Sequence, residues 1–470
     1  MSSRAKPTAL FGFWLEGFAT LRLGLPIIFG QMLQNSLGII DTIMVGRVSV
    51  EAVAAGSFAN ALFIVPMVFG FGTLGAVSVF VARAAARGDS AETVQVLRRG
   101  LILSLGLALC MIVCMLGVCR YLAIFDEPLP VVNTARTFLL LLTCSLIPMY
   151  LFQTLKQYCE ALHAAWIPML ILMTGVAVNT GLNWIFIYGH LGFPALGLQG
   201  AGCSTLITRT CMLGVLVFFV GKMFFKTEEL RKTLVQVPFD FHGFWNLLGI
   251  GLPAGFQVIL EVGAFAMAAI MMGWISEVAL AAHQVAVSVA SISFMFPLGL
   301  STAVAIRVSH AVGSGLPRQA RQAAQGSLFM TLVFMTISTL IIVLIAPSFA
   351  GIFVQDARVV ALASHILIVA GLLQIFDGIQ IVSAGALRGL HDVKIPTLLN
   401  FCGYWVVGLP TSYFLAFHCH WGAIGIWWGL FTGIGVLSCL HFCRLEQTLR
   451  KSFIPVHPVR NEAVEPMPQP

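Results

Sequence analysis

The sequence predicts an all-α integral membrane protein with twelve transmembrane helices arranged as two parallel six-helix repeats. Three observations carry that prediction. Of 470 residues, 59% are hydrophobic and only 10% are charged, against about 25% charged in ordinary soluble domains. The apolar residues fall into long runs separated by short segments of charge, Gly and Pro. The second half of the chain also repeats the first at a nearly fixed offset. A mean hydropathy of +0.94 excludes a soluble globular enzyme, a disordered chain and a nucleic-acid-binding module, because a water-soluble surface cannot be built from so few polar residues. The net charge of +7 therefore bears on how loops are distributed across a membrane rather than on an acidic partner.

A span needs about 20 apolar residues to cross the hydrocarbon. Backbone groups in lipid must be satisfied within the segment, so continuous runs of this length are helices. The expected spans are 21–45, 52–82, 95–120, 134–158, 166–190, 198–221, 243–272, 278–309, 323–346, 359–385, 396–417 and 422–443. No alternation of the kind a membrane barrel requires is present. The first run exceeds the apolar core of a signal peptide and no small-residue cleavage site follows it, so it is read as retained.

Lys and Arg are sorted by side. One side holds 21 of the 26, including Arg83, Arg87, Arg98, Arg99, Lys156, Arg307, Arg318, Arg321, Arg388 and Lys394. The other holds Arg47, Arg120, Arg136 and Arg358, while Arg209 falls inside the sixth span. Basic loops stay cytoplasmic, so both termini are expected in the cytoplasm, in a multi-pass protein of the bacterial inner membrane.

A shift of 227 places Gly24-Leu25-Pro26 on Gly251-Leu252-Pro253, Gly46 on Gly273, Gly72 on Gly299 and Gly88 on Gly315. It matches 20 of the 65 positions from 24 to 88 without a gap. A shift of 228 then brings His163 onto His391 and Ile167-Pro168 onto Ile395-Pro396. Copies six helices apart share one orientation, which makes this a parallel repeat about an axis along the membrane normal. The expected organisation is an N-terminal segment 1–20, an N-lobe 21–221, a linker 222–242, a C-lobe 243–445 and a tail 446–470.

Three acids lie well inside spans: Asp41, Glu261 and Asp377. A carboxylate near the bilayer centre costs a few kcal/mol, so each is a structural hydrogen-bond partner or, the favoured reading, a proton or cation site. In the repeat frame Gln34 stands in the place of Glu261 and Ala268 in that of Asp41. Each half thus carries its acid at a different level of the equivalent helix. Asn179 and Asn183 share a face of the fifth span at i and i+4. They either complete a site around Asp41 with amide oxygens or act as helix–helix glue. Pro26 and Pro253 either bend their helices or sit harmlessly in a first turn.

The eleven cysteines are scattered through the spans, as small buried apolar residues are, and form no CxxC pairs. His418-Cys419-His420 is a weak metal candidate beside that reading. No Walker A, HExxH or GxSxG motif is present, so ATP hydrolysis and the common intramembrane hydrolase chemistries have no signature. No enzyme activity and no cofactor are expected.

At this point the residues resemble a known family. Pro26…Gln31…Asp41-Thr42-Ile43-Met44-Val45-Gly46-Arg47 is similar to the first-helix signature of multidrug and toxic compound extrusion (MATE) transporters. Gln153…Gln157…Glu160-Ala161, Asn179…Asn183…Tyr188-Gly189, Leu252-Pro253…Glu261…Phe265, Ala281-Ala282-His283-Gln284 and Gly385-Ala386-Leu387-Arg388-Gly389 continue the series in order. Glu261 together with Asp377 looks like the NorM-type branch. The resemblance covers about residues 20–445. It implies two six-helix lobes forming a V around a central cavity, and a monomer that exports amphipathic organic cations in exchange for Na+ or H+. It also implies a first-half cation site at residues matching Asp41, Asn179 and Asn183, and a second at those matching Glu261 and Asp377. Relatives can carry a Tyr one turn before the tenth-span acid; Leu373 stands there in this chain.

A flippase for lipid-linked precursors, from the same broad superfamily, is the alternative. It would be expected to line its cavity with several bases, whereas three acids and only Arg209 lie inside these spans. A major-facilitator carrier would carry a basic signature between its second and third helices, where this chain reads Ala82-Arg83-Ala84-Ala85-Ala86-Arg87-Gly88-Asp89-Ser90. The basic bias also fixes a topology test. A cysteine replacing Lys226 on a cysteine-free background is expected to resist an impermeant thiol reagent added to intact cells; labelling from outside would reverse the orientation.

Overall fold

A computed structural model describes residues 9–122, 129–224 and 240–452. Most of the 222–242 linker, Lys226 included, and the tail beyond residue 452 lie outside the described residues. All described secondary structure is helical, and eleven helices are long and apolar enough to cross a membrane. The spans are Ala9–Gly46, Val50–Leu74 continued as Ala76–Ala86, Ser90–Arg120, Leu129–Cys144 continued as Leu146–Ala161, Trp166–Tyr188 and Leu198–Phe224 in the first half. In the second half Phe241–Ile275, Glu277–Gly313, Pro317–Phe353, Ala357–Gly389 and Gly422–Ser452 cross similarly.

The expected eleventh span is present in a different form. It runs as Lys394–Phe401, a π-helical stretch Cys402–Gly408, a short helix Leu409–Tyr413 and a second π-helical stretch Phe414–His418. Gly and Pro at positions 403, 408 and 410 weaken the α register, and tight packing on the twelfth span takes up the wider turns. A Cβ on Gly433 would sit 2.5 Å from the Gly408 Cα. The first helix begins at Ala9 rather than near residue 21, and the last continues past residue 445 to Ser452.

Because the helices start earlier than expected, Pro26 and Pro253 are not in first turns; each lies well inside a helix that continues through it. Non-helical backbone inside a helix is instead found at Ile345 (φ −118°, ψ 19°), two residues before Pro347 in the ninth span.

The repeat is visible in how the halves meet. A Cβ on Gly72 would lie 2.8 Å from the Gly255 Cα, and one on Gly299 would lie 2.8 Å from the Ile28 Cα. These two crossings are images of each other under the 227-residue shift, as are Gly251 against the Thr73 carbonyl and Gly24 against Leu300. Small residues let helix backbones approach closely where no hydrophobic effect drives association.

Further contacts between halves lie towards the same end, the one bearing the basic loops. Ser309 Oγ donates to the Val79 carbonyl at 2.7 Å, Arg307 pairs with Glu16, and Arg99 pairs with Asp240 at 2.8 Å. Arg83 Nη1 donates to His391 Nδ1 at 3.2 Å. Burial beside Arg83 pushes the His391 imidazole down to about 3, so the ring is neutral and can accept this bond. Its repeat mate His163 packs edge-on to His310, 5.8 Å away between ring centroids. Both loop histidines have left-handed backbone, with φ of 60° and 64°.

At the opposite end Gly38 and Gly273 face open space, and Ile43 and Trp274 are 57% and 61% exposed. The molecule is therefore a V, closed at the basic end and open at the other.

This geometry makes Gly72→Val a test of the closed side. The added atoms would meet the Gly255 Cα, the Ala254 carbonyl oxygen and Val258 Cγ2 within 3.1 Å, and overpacking of that kind costs about 1–3 kcal/mol. Labelling of a cysteine placed at Ser309 is expected to rise severalfold in the Gly72→Val background; unchanged labelling would mean the crossing does not hold that side shut.

Candidate functional site

The first-span acid is held by three helices. Asp41 sits in the half of the first span beyond the glycine crossings. Asn183 Nδ2 in the fifth span donates to Asp41 Oδ1 at 2.6 Å, and Thr205 Oγ1 in the sixth donates to Asp41 Oδ2 at 3.0 Å. Asn183 Nδ2 also reaches Asn179 Oδ1 at 3.3 Å. Both asparagines are at most 1% exposed. The i, i+4 spacing thus puts them on one face, as expected, and that face meets Asp41.

One detail differs from expectation. Asn183 turns its amide NH2 to the carboxyl group rather than its oxygen, with Asp41 Oδ1 as the acceptor. Its Oδ1 is buried with no hydrogen-bond partner among the described residues. Thr205 was not legible beforehand. Threonine is common in helices, and its hydroxyl usually bonds the carbonyl four residues back, as Thr210 does.

Arg209, one turn beyond Thr205, lies within electrostatic reach of Asp41. Its Nη1 donates to Ser145 Oγ at 2.5 Å, and its guanidinium stands 5.5 Å from the Phe63 ring centroid. The charge of this interior base is thus offset by the interior acid, which lowers the cost of holding either in the membrane.

The second-half acids come together. Asp377 in the tenth span is 6% exposed and close enough to Glu261 in the seventh for their charges to interact directly. Tyr404, from the first π-helical stretch of the eleventh span, is 1% exposed and within reach of both. Among the described residues neither Asp377 Oδ1 nor the Tyr404 hydroxyl has a hydrogen-bond partner, and both atoms are buried. Trp405 Nε1 donates to the carbonyl of Leu260 at 3.0 Å and so braces the backbone beside Glu261.

Leu373, at the place where a Tyr was considered, is 3% exposed in the apolar core of this half. The phenol arrives from another helix. Tyr404 escaped the sequence reading because a π turn shifts side-chain direction away from the 3.6-residue period. One turn from Asp377, Gln374 accepts from Ser293 Oγ at 2.9 Å and donates to the Ala290 carbonyl at 3.1 Å, tying the tenth span to the eighth.

The Asp41 and Glu261–Asp377 groups lie in separate halves. Asn183 Oδ1, Asp377 Oδ1 and the Tyr404 hydroxyl are buried side-chain oxygens without a hydrogen-bond partner among the described residues. Among the described residues no group of three or more His, Cys, Asp or Glu could hold a metal ion, and His418 stacks on Phe414.

A further interior pair corrects the loop assignment of Lys156. Lys156 and Glu160 are i, i+4 in Leu146–Ala161, 3.8 Å apart, with both side chains 2% exposed. Lys156 is therefore a buried partner of Glu160 rather than a topology-setting loop charge.

Comparison with known proteins follows the same two halves. The MatE family profile matches residues 26–185 and again 253–414, in the register of the internal repeat. A protein named probable multidrug resistance protein NorM from Mesorhizobium japonicum is 36% identical over 437 residues, covering 91% of this chain and 92% of its own length. Multidrug resistance protein MdtK of Yersinia pestis is 30% identical, covering 92% and 95%. Among solved structures, a eukaryotic MATE transporter, AtDTX14, superposes with a TM-score of 0.84 at 20% identity over 94% of this chain and 99% of its own.

The Asp41 geometry predicts that Thr205→Val, which keeps shape and removes the donor, loosens the carboxylate. Chemical labelling of Asp41 by a carboxyl-specific carbodiimide is expected to rise severalfold relative to the parent. Equal labelling would show that Thr205 does not hold it.

Proposed function

Starting from the fact that the chain belongs to the MatE family, a family of transporters rather than enzymes, we propose that it is a secondary antiporter. It exports amphipathic organic cations, multidrug efflux substrates among them, in exchange for Na+ or H+. Both termini are cytoplasmic in this reading, the membrane is the bacterial inner membrane, and the V opens outward. The observation that carries the proposal is that Asp41, Glu261 and Asp377 each lie in one of two polar clusters that retain buried side-chain oxygens without a hydrogen-bond partner among the described residues. An ionisable group in hydrocarbon persists where something offsets its cost, and a driving ion does so intermittently.

In the first half the arrangement suits either ion. A proton on Asp41 would remove the acceptor pair that holds Asn183 and Thr205. A sodium ion needs several oxygens, which Asp41, Asn179, Thr205 and a turned Asn183 amide would provide. In the second half Glu261 and Asp377 are like charges at close range, an arrangement that favours a shared proton or a bound cation between them. No cofactor takes part. The cavity wall is apolar and aromatic with a net acidic character, which suits flat cations over aromatic faces. A flippase for lipid-linked pyrophosphates would need free bases in the cavity, and the interior Arg209 is hydrogen-bonded to Ser145 within the field of Asp41.

One inward charge moving through 100 mV gains about 2.3 kcal/mol, about a fiftyfold gradient of cargo at equilibrium. Asp41→Asn, Glu261→Gln and Asp377→Asn keep shape and remove the charge. In proteoliposomes with separately imposed sodium and proton gradients, at least one is expected to abolish gradient-driven efflux of an ethidium-like dye while keeping dye binding. An anionic dye of similar size is expected to move poorly. Normal pumping by all three variants under both gradients would make the carboxylates structural and the antiport reading wrong.

A further inference from the structure

The ninth and twelfth spans each pack along the tenth yet scarcely touch one another. Between them lies a cavity of about 320 Å³ on the outer, membrane-facing wall, lined by Leu328, Phe329, Leu332, Phe376, Ile379 and Phe442 among others. Phe329, Leu332 and Phe442 are 39–44% exposed, so the groove is open to lipid.

Towards the basic end the same helix stripes turn polar. Arg321 stands seven residues before Leu328, about 10 Å along the helix, and Arg318 stands eleven before Phe329 on the same face. On the twelfth span Arg450 lies eleven residues after Cys439, which also lines the groove. Arg318 and Arg450 are exposed. Arg321 Nη2 and Gln325 Nε2 both reach Glu446, at 3.0 and 2.9 Å, bridging the two helices at the mouth of the groove. Glu446 pairs with Arg321, while Arg318 and Arg450 are exposed on the same helix stripes.

We propose that this groove is a binding site for an anionic phospholipid. One acyl chain lies in the apolar cavity, and the phosphate lies at the mouth among Arg318, Arg321 and Arg450. The depth order is what selects a lipid: hydrocarbon-lined space within the spans and guanidinium groups at headgroup height on the same stripes. Basic pockets between transmembrane helices at a membrane surface hold anionic headgroups in this way. Glu446 keeps Arg321 in place by its ion pair and leaves the remaining guanidinium edge for the phosphate. The site does not depend on the transport reading, since it uses none of the residues of the two acidic clusters.

The test is a native mass-spectrometric titration of the purified chain with phosphatidylglycerol and with phosphatidylcholine of the same acyl chains. The parent is expected to retain phosphatidylglycerol preferentially. Each juxtamembrane base is worth about fivefold in affinity, so the double variant Arg318→Gln/Arg450→Gln is expected to bind phosphatidylglycerol about 30-fold more weakly. Ser438→Trp, which fills the groove and leaves the bases in place, is expected to lose the tightest-bound lipid as well. Excess soluble glycerophosphate is expected to leave that lipid in place.

Equal retention of both lipids by the parent, or an unchanged titration in the double variant, overturns the proposal. Displacement by glycerophosphate would reduce the site to a headgroup-only anion contact and remove the acyl-chain part. Because Arg318 and Arg450 are exposed, their replacement leaves packing intact, and the double variant decides the matter even where Ser438→Trp fails to fold.

Discussion

Two close crossings that only glycine permits, Gly72 on Gly255 and Gly299 on Ile28, are the constraint on which the rest of this molecule depends. Helices in hydrocarbon gain little by hiding apolar surface from one another, so association rests on close packing and on polar contacts. Glycine at these points brings the first span to the eighth and the second to the seventh. With those four helices pinned at one end, the other end splays apart, and the acids lie towards the splayed region. A larger residue at either crossing would alter the cleft without touching any charged group.

The interior charges obey a related rule. Asp41 is satisfied by Asn183, Thr205 and the field of Arg209, and Lys156 lies beside Glu160. Glu261 and Asp377 instead lie within electrostatic reach of each other and of Tyr404, whose hydroxyl has no hydrogen-bond partner among the described residues. The first half is thus nearly self-sufficient in the arrangement described, while the second retains unmet demand. The same repeat unit has arrived at two electrostatic solutions because its acid sits seven residues apart in the repeat frame, on helices whose neighbours differ.

Most of the architecture was legible in the sequence, since twelve apolar runs, a 227-residue register of Gly and Pro and the sorting of Lys and Arg all survive as periodic or compositional signals. Within the site, Asp41, Asn179 and Asn183 were legible because i, i+4 spacing on a straight α-helix fixes a shared face. Tyr404 was not, because two π-helical stretches interrupt the eleventh span and break the period from which a face is read. Thr205 carried no signal of its own, since a helical threonine ordinarily satisfies its hydroxyl locally. Lys156 misled because a base near a span end looks like a loop charge until its i, i+4 acid is seen to be buried with it. The last helix extends to Ser452 because polar turns continue a helix outside hydrocarbon as readily as they end it, whereas the added first turns from Ala9 are mostly apolar and aromatic.

The mirrored pairing of the two crossings has a further consequence for ancestry. A surface that presents Gly24 and Gly72 to Leu300 and Gly255, while its copy presents Gly251 and Gly299 to Thr73 and Ile28, is self-complementary. That is what a two-fold homodimer demands of its subunit. A single six-helix protein could have formed this V as a pair of identical chains before the two were fused. After fusion the joint had to stay symmetric, because each crossing constrains its image. The polar clusters lie away from the joint and were free to drift, and the chain now carries two unlike chambers on one shared seam.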